Sequence, residues 1–296
     1  MESSKTDHPP NRGHGVWPGL ILSLVFLAVG VLALADFGPT WDETETYAAG
    51  SANLRTIEQF FKGEPVKFPF HAIPGYYFLM DTARGLFALG VTAWRIMDLT
   101  TAYHFFHLVL SSLAIFILYR TVFLITGLGR PAFFAALTLA LLPKFIAHSQ
   151  SNPKDLPGTF GFILATYLVV RLTRKATWGR TLVAGAGLGL AWSTSIICAF
   201  VPAIIGGWLI LTQRRHFLRN GGKYAGLLAV GGFSLFLFWP WLWADPLNRL
   251  LSVSHYISAF KLNTPLLYFG HLYRWTDVPW HYFLGSFAVS TPVFFL

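Results

Sequence analysis

The chain is short of charge. Asp, Glu, Lys and Arg make up only 12% of its 296 residues, whereas a soluble globular chain carries about 25%. Cysteine is nearly absent, and the single Cys198, set in an apolar run, excludes an internal disulfide framework. Zinc-type Cys/His spacing, a phosphate-binding glycine loop and a G-x-S-x-G nucleophile elbow are all missing. So is the apolar–polar alternation that builds membrane β-barrels. These absences exclude a soluble domain, a nucleotide-binding fold and the common serine-hydrolase design.

What the chain has is apolar length. Hydrophobic residues reach 54% and aromatics 17%, gathered in runs near the 20 residues that a hydrocarbon core about 30 Å thick demands of a helix. Backbone amides in lipid must be satisfied within their own segment, so the runs read as helices. The expected fold is all-α, a polytopic bundle of about eight spans. They fall near 17–35, 103–125, 132–148, 157–173, 181–197, 199–212, 224–243 and 281–296. Residues 1–16 form a polar tail and 17–296 the transmembrane domain.

The net charge of +9 does not point to nucleic acid, because the basic residues stand in short clusters between apolar runs. With the N-terminus inside, 12 of the 22 Lys and Arg fall on the cytoplasmic side, from Lys5 and Arg12 to Arg219 and Lys223. Of the 13 acidic residues, 11 fall on the outer side. The expected location is thus a lipid bilayer with a cytoplasmic N-terminus. Two outer loops are long, about 36–102 and 244–280. The first is too aromatic for disorder and reads as helices lying in the membrane interface.

Three outer segments carry polar groups that can do chemistry. Asp42-Glu43 follows the first span; Asp is a favoured N-cap, and a carboxylate in a low-dielectric site can serve as a general base. Between two spans stands His148-Ser149-Gln150-Ser151-Asn152-Pro153-Lys154-Asp155-Leu156-Pro157. There Lys154 can face a phosphate and Asp155 can orient a donor group or a metal, although a local Lys154–Asp155 ion pair explains the charges equally well. The third, Lys67 to Tyr77, reads as a Pro/Gly bend carrying His71 and Tyr76 as contacts. Gly185, Gly187 and Gly189 sit in an apolar run and read as close helix packing. Arg274 to Phe283, followed by Thr291-Pro292, reads as an aromatic belt leading into a kinked span.

In this order, the pieces resemble the GT-C superfamily of membrane glycosyltransferases, most closely the branch of dolichyl-phosphate-mannose–protein mannosyltransferases and their bacterial relatives. The resemblance rests on Asp42-Glu43 after the first span, the Pro-aromatic segment from His71 to Tyr77, the turn from His148 through Asn152-Pro153-Lys154-Asp155-Leu156-Pro157, and Pro279 to Phe283 with Thr291-Pro292. It covers roughly 17–296. The resemblance implies inverting transfer of a sugar from a polyprenyl-phosphate donor to a protein, lipid or glycan acceptor hydroxyl, at the outer face of a bacterial cell (inner) membrane. By the same resemblance Asp42 is the general base, Glu43 supports it and Asp155 faces the same cavity. Lys154, Arg95 and Arg274 stabilise the leaving phosphate, in that order of preference, and His71, His148, Asn152 and Tyr76 line the substrate site. No cofactor is required; carboxylates of this kind can hold a divalent cation, but nothing in the sequence demands one.

Family members are usually longer, which predicts that these residues are an N-terminal portion or act with a partner chain. The alternatives are a transporter or flippase for a lipid-linked substrate, or a non-catalytic membrane component. The first should show repeated halves, and no internal repeat is found.

Overall fold

A computed structural model of the chain describes residues 15–40, 43–65, 78–243, 245–259 and 265–291. The bundle begins with α1 (Trp17–Ala33), which runs on through a 3-10 turn over Leu34–Asp36. Then come α2 (Glu43–Lys62), α3 (Phe78–Ala93), α4 (Leu99–Thr126), α5 (Gly129–Leu141) and α6 (Pro143–Ser151). After them stand α7 (Asp155–Arg174), α8 (Trp178–Thr194), α9 (Phe200–Thr212), the short α10 (Arg214–Arg219) and α11 (Gly221–Phe238). Beyond α11 lie α12 (Pro246–Ala259), the antiparallel strands β1 (Leu266–Tyr268) and β2 (His271–Tyr273), and α13 (Tyr282–Ser290). The all-α class holds, and the protein is an integral membrane protein.

α4 is the axle. At 28 residues it is about 42 Å long at 1.5 Å per residue, which exceeds a hydrocarbon core of about 30 Å. Its start is fixed by Asp98, whose side chain accepts from the Thr101 amide at 3.0 Å, a favoured N-cap arrangement. Its end is fixed by Gly127, which takes φ 72° to close the last turn. Around it pack α1, α3, α5, α6 and α7. The apolar core is in two parts. One joins α4 to α5, α6 and α7 through residues such as Ile115, Ala136, Phe145 and Phe160; the other joins α7, α8, α9 and α11 around Leu172, Leu188 and Leu209.

Four helices are long and apolar enough to cross a membrane: Trp17–Asp36, Leu99–Thr126, Asp155–Arg174 and Gly221–Phe238. The pair α5 and α6, bent by 63°, counts as a fifth when taken as one broken span. The expected count of about eight is reached only by adding α8, α9 and the stretch containing α13, whose described helices are shorter. The single span read over 132–148 needs correction. It breaks at Leu142–Pro143 because proline lacks the amide for the next helical bond and its ring clashes with the preceding turn. The span read over 224–243 likewise ends at Phe238, before the 3-10 turn Pro240–Trp243.

The long loop after α1 does carry helices, α2 and α3. The last loop also holds a hairpin, turned by Phe269 and Gly270 with φ 46° and 83°. Positive φ at both central residues is the geometry of a tight two-residue turn.

α8 and α11 approach most closely where glycine leaves room. A Cβ added at Gly189 would stand 2.4 Å from the Ser234 Cβ and 2.6 Å from the Gly231 carbonyl oxygen. Gly189 therefore serves packing, as small residues do at membrane helix interfaces. Gly189→Leu should cost about 1–3 kcal/mol, the usual range for overpacking, read as a lower unfolding midpoint in detergent. Gly206→Leu, which meets nothing within 4 Å, should leave that midpoint unchanged.

Candidate active site

The polar residues of the bundle collect where the end of α1, the start of α2, the start of α3 and the turn between α6 and α7 converge on the first turns of α4. Glu43, the first residue of α2, has no exposed surface. Its carboxylate accepts from the Thr40 amide at 3.0 Å, from the Tyr47 hydroxyl at 3.0 Å and from His104 Nε2 on α4 at 3.0 and 3.2 Å. The Thr40–Glu43 contact ties the side chain of the first helical residue back to the amide three residues before it. Burial, reinforced by the charge of Glu43, pushes the Tyr47 hydroxyl far above its ordinary pKa, so Tyr47 stays a donor.

A second buried group lies one helix away. Arg84 on α3 donates to Asp81 and, at 2.6 Å, to His107 on α4; Asp81, Arg84 and His107 are all buried. A guanidinium has only donors, so His107 Nε2 accepts and its proton sits on Nδ1. The Arg84 guanidinium also stands 5.2 Å above the Tyr103 ring, and Tyr103 packs on Tyr47 at 4.0 Å between centroids. A continuous polar and aromatic chain thus runs from Glu43 to Asp81 across the face of α4. Close helix approach makes it possible, since a Cβ on Gly50 of α2 would stand 2.8 Å from the Asp81 carbonyl.

The turn between α6 and α7 reaches the same place. The Thr40 hydroxyl donates to the Ser151 carbonyl at 3.2 Å, across 111 residues of sequence. Burial pushes the Asp81 carboxyl up to about 7, against the pull of Arg84 and of Lys154. Lys154 is therefore within electrostatic reach of α3. Asn152 organises the turn. Its Oδ1 accepts from the amides of Lys154 at 3.0 Å and Asp155 at 2.8 Å, capping α7, while its Nδ2 donates to His148 Nδ1 at 2.6 Å and to Asp155 at 3.0 Å. Asp155 is thus held by Asn152. His148 and Asp155 open onto a groove of about 520 Å³, walled by Leu142, Phe145, Phe162 and Ile197 and edged by Lys144 and Ser195.

Of the residues singled out in the sequence, Glu43, His148, Asn152, Lys154 and Asp155 are brought to this end of the bundle. Asp42, His71 and Tyr76 lie outside the described residues. Arg95 is exposed beyond the far end of α3, where it closes the helix with φ 54°. It stands 14 residues past Asp81, about 20 Å along a helix rising 1.5 Å per residue. Arg274 is exposed in the segment that holds the hairpin and α13. In the described residues that segment is tied together internally, with the Tyr268 hydroxyl 2.9 Å from His281 Nδ1. Among the described residues no group of three or more His, Cys, Asp or Glu is placed to hold a metal.

Sequence reasoning missed Asp81, Arg84, His104 and His107. A signal was present. Each pair is spaced i, i+3 within an apolar stretch, and ionisable residues there are functional candidates by default. Four of their buried atoms, Asp81 Oδ2, Arg84 Nε and both histidine Nδ1 atoms, have no hydrogen-bond partner among the described residues. Such atoms cost about 1–3 kcal/mol each, so the cluster is kept at the expense of stability, as functional sites often are. Arg84→Met should destabilise the protein by about 3–5 kcal/mol because it strands a buried carboxylate. Asp81→Leu combined with Arg84→Met should be much milder. Unfolding midpoints of the single and double variants check this.

The sequence profile of the dolichyl-phosphate-mannose-protein mannosyltransferase family matches residues 86–243. The protein named "Putative mannosyltransferase YycA" of Bacillus subtilis (strain 168) is 30% identical over 162 residues, which cover 53% of this chain and 23% of that protein. The match therefore spans about a quarter of the relative's length. No solved structure matches the chain. Residues 86–243 run from α3 to the turn after α11 and include α4 with both histidines and the Asn152–Asp155 turn, while Asp42, Glu43, Asp81 and Arg84 precede the matched range; the match covers more than half of the chain, and the chain belongs to the dolichyl-phosphate-mannose-protein mannosyltransferase family.

Proposed function

We propose that the chain carries the reaction centre of a membrane glycosyltransferase, which moves a sugar from a polyprenyl-phosphate donor to an acceptor hydroxyl at the outer face of the membrane. The observation that carries this reading is the Thr40–Ser151 hydrogen bond. It ties the segment leading into Asp42-Glu43 to the Asn152–Asp155 turn. The two motifs expected to share a cavity are thereby joined at one end of the bundle.

In the proposed reaction Asp42 takes the proton from the acceptor hydroxyl as its oxygen attacks the anomeric carbon. The bond from that carbon to the phosphate oxygen breaks on the opposite side, the configuration inverts, and the electron pair leaves on the lipid phosphate. Lys154 stabilises that developing charge, as preorganised cations do for leaving groups. Asp155, oriented by Asn152, lines the sugar site with His148. The apolar groove walled by Leu142, Phe145, Phe162 and Ile197 suits the isoprenoid chain of the donor. The acceptor is a protein, lipid or glycan hydroxyl. The outer location follows from the positive-inside rule: the clusters from Arg171 to Arg180 and from Arg214 to Lys223 sit at the opposite ends of α7, α8 and α11 from the site.

One observation favours the transporter alternative. The α5–α6 pair is broken by 63°, and broken helices occur at transporter substrate sites. A transporter would move the donor across the membrane with its sugar–phosphate bond intact. Membranes containing the natural gene product should instead release radiolabelled sugar from a panel of polyprenyl-phosphate hexoses onto acceptor. Asp42→Asn, at equal expression, should lower that transfer by about 10²–10⁴-fold, the usual contribution of a general base. Undiminished transfer in Asp42→Asn rules out the base assignment, and donor translocation without cleavage rules out the enzyme.

A further inference from the structure

Among the described residues, three groups donate to the buried carboxylate of Glu43. The Thr40 amide and the Tyr47 hydroxyl belong to the same short stretch of chain as Glu43 and move with it. His104 does not. It sits on α4, has no exposed surface, and holds both carboxylate oxygens through Nε2, at 3.0 and 3.2 Å. It is therefore the one side-chain tie, among those described, between the Glu43 carboxylate and the longest and best-packed helix of the bundle. The tautomer follows from the contact. A carboxylate only accepts, so Nε2 carries the proton, and Nδ1 is buried with no partner among the described residues.

We propose that His104 is the positioning residue of the site: it clamps Glu43 to α4 and thereby holds the start of α2, the next residue in sequence after the proposed base Asp42. The inference rests on the proposed role of Asp42 as base. Glu43 and Asp42 share a peptide bond, so the start of α2 cannot shift without carrying Asp42 with it. Reaction geometry is unforgiving, and a displacement of about 1 Å at the reacting group can cost about 10²-fold. His104 reaches no substrate in this arrangement, because Glu43 lies in front of it and both are buried. Its effect is on the turnover of bound substrate and not on donor binding.

The test uses the natural gene product in membranes with a radiolabelled panel of polyprenyl-phosphate hexoses. His104→Leu removes the donor at similar volume, and His104→Gln keeps an N–H near the position of Nε2. His104→Leu should lower kcat by about 10²-fold with the donor KM unchanged, and His104→Gln should recover most of the loss. Glu43→Gln combined with His104→Leu should be no worse than the more damaging single change, since both break one contact. Wild-type kcat in His104→Leu overturns the proposal. So does a His104→Gln variant that folds as well as wild type yet turns over as poorly as His104→Leu, because proton transfer or packing would then be the role. If His104→Leu fails to accumulate, His104→Asn, whose amide is too short to reach Glu43, takes its place in the same comparison. Asp42→Asn is assayed in parallel. Full activity there, with a rescuable loss at His104, removes the base assignment and leaves the clamp on Glu43 standing.

Discussion

A carboxylate taken fully out of water must be given donors, and the arrangement around Glu43 answers that demand. Its oxygens are supplied by a backbone amide at the entry to α2, by a tyrosine one turn along and by a histidine from α4. The amide precedes α2, the tyrosine stands one turn into it, and the histidine comes from another helix. The same tyrosine lies on Tyr103, which lies under Arg84, which pairs with Asp81. One buried charge thus propagates into a network that ties three helices together at a single level.

That level is set by the way α1 meets α4. Gly30 of α1 lies against Leu108 of α4, so the end of α1 runs beside the turns of α4 that carry His104 and His107. Gln150 of α6 bonds to the Gly30 carbonyl of α1 at 3.4 Å, inside the protein. The α6–α7 turn is thereby brought to the same height. The break at Pro143 completes the arrangement, since it swings α6 away from the line of α5 and leaves the groove beside His148 and Asp155. The proposed transfer from a lipid-linked sugar calls for an apolar slot with polar groups at its mouth and a carboxylate held nearby.

The long apolar helices were legible because hydrophobic length is a property of each segment alone. The spans read over 17–35 and 157–173 became Trp17–Asp36 and Asp155–Arg174, and the packing role of Gly189 was visible in its apolar surroundings. The break at Leu142 was missed although Pro143 stood in plain view, because the run on either side is apolar enough to read as continuous. The hairpin was hidden because Phe269-Gly270 lacks the Asn or Asp that usually marks such a turn. In the site, the Asn152–Asp155 turn was legible from its concentration of polar residues between apolar runs. Asp81, Arg84, His104 and His107 were not: they stand in pairs three residues apart among apolar neighbours, and the partners that bind the two histidines, Glu43 and Arg84, come from other helices. Arg95 and Arg274 were read as outer-side cations; Arg95 stands beyond the last turn of α3 and Arg274 in the segment that holds the hairpin.

The central claim is that the segment entering α2 and the turn leaving α6 form one site, and proximity tests it most directly. In a Cys198→Ser background, Thr40→Cys and Ser151→Cys would be treated with a short bis-maleimide. A protease site placed in the α4–α5 connection lets the two halves part after cleavage. The account predicts that the halves stay joined on a denaturing gel, while either single cysteine variant releases them. Halves that separate after complete labelling of both cysteines would show that the two motifs do not meet, and the proposed active site would fall with them.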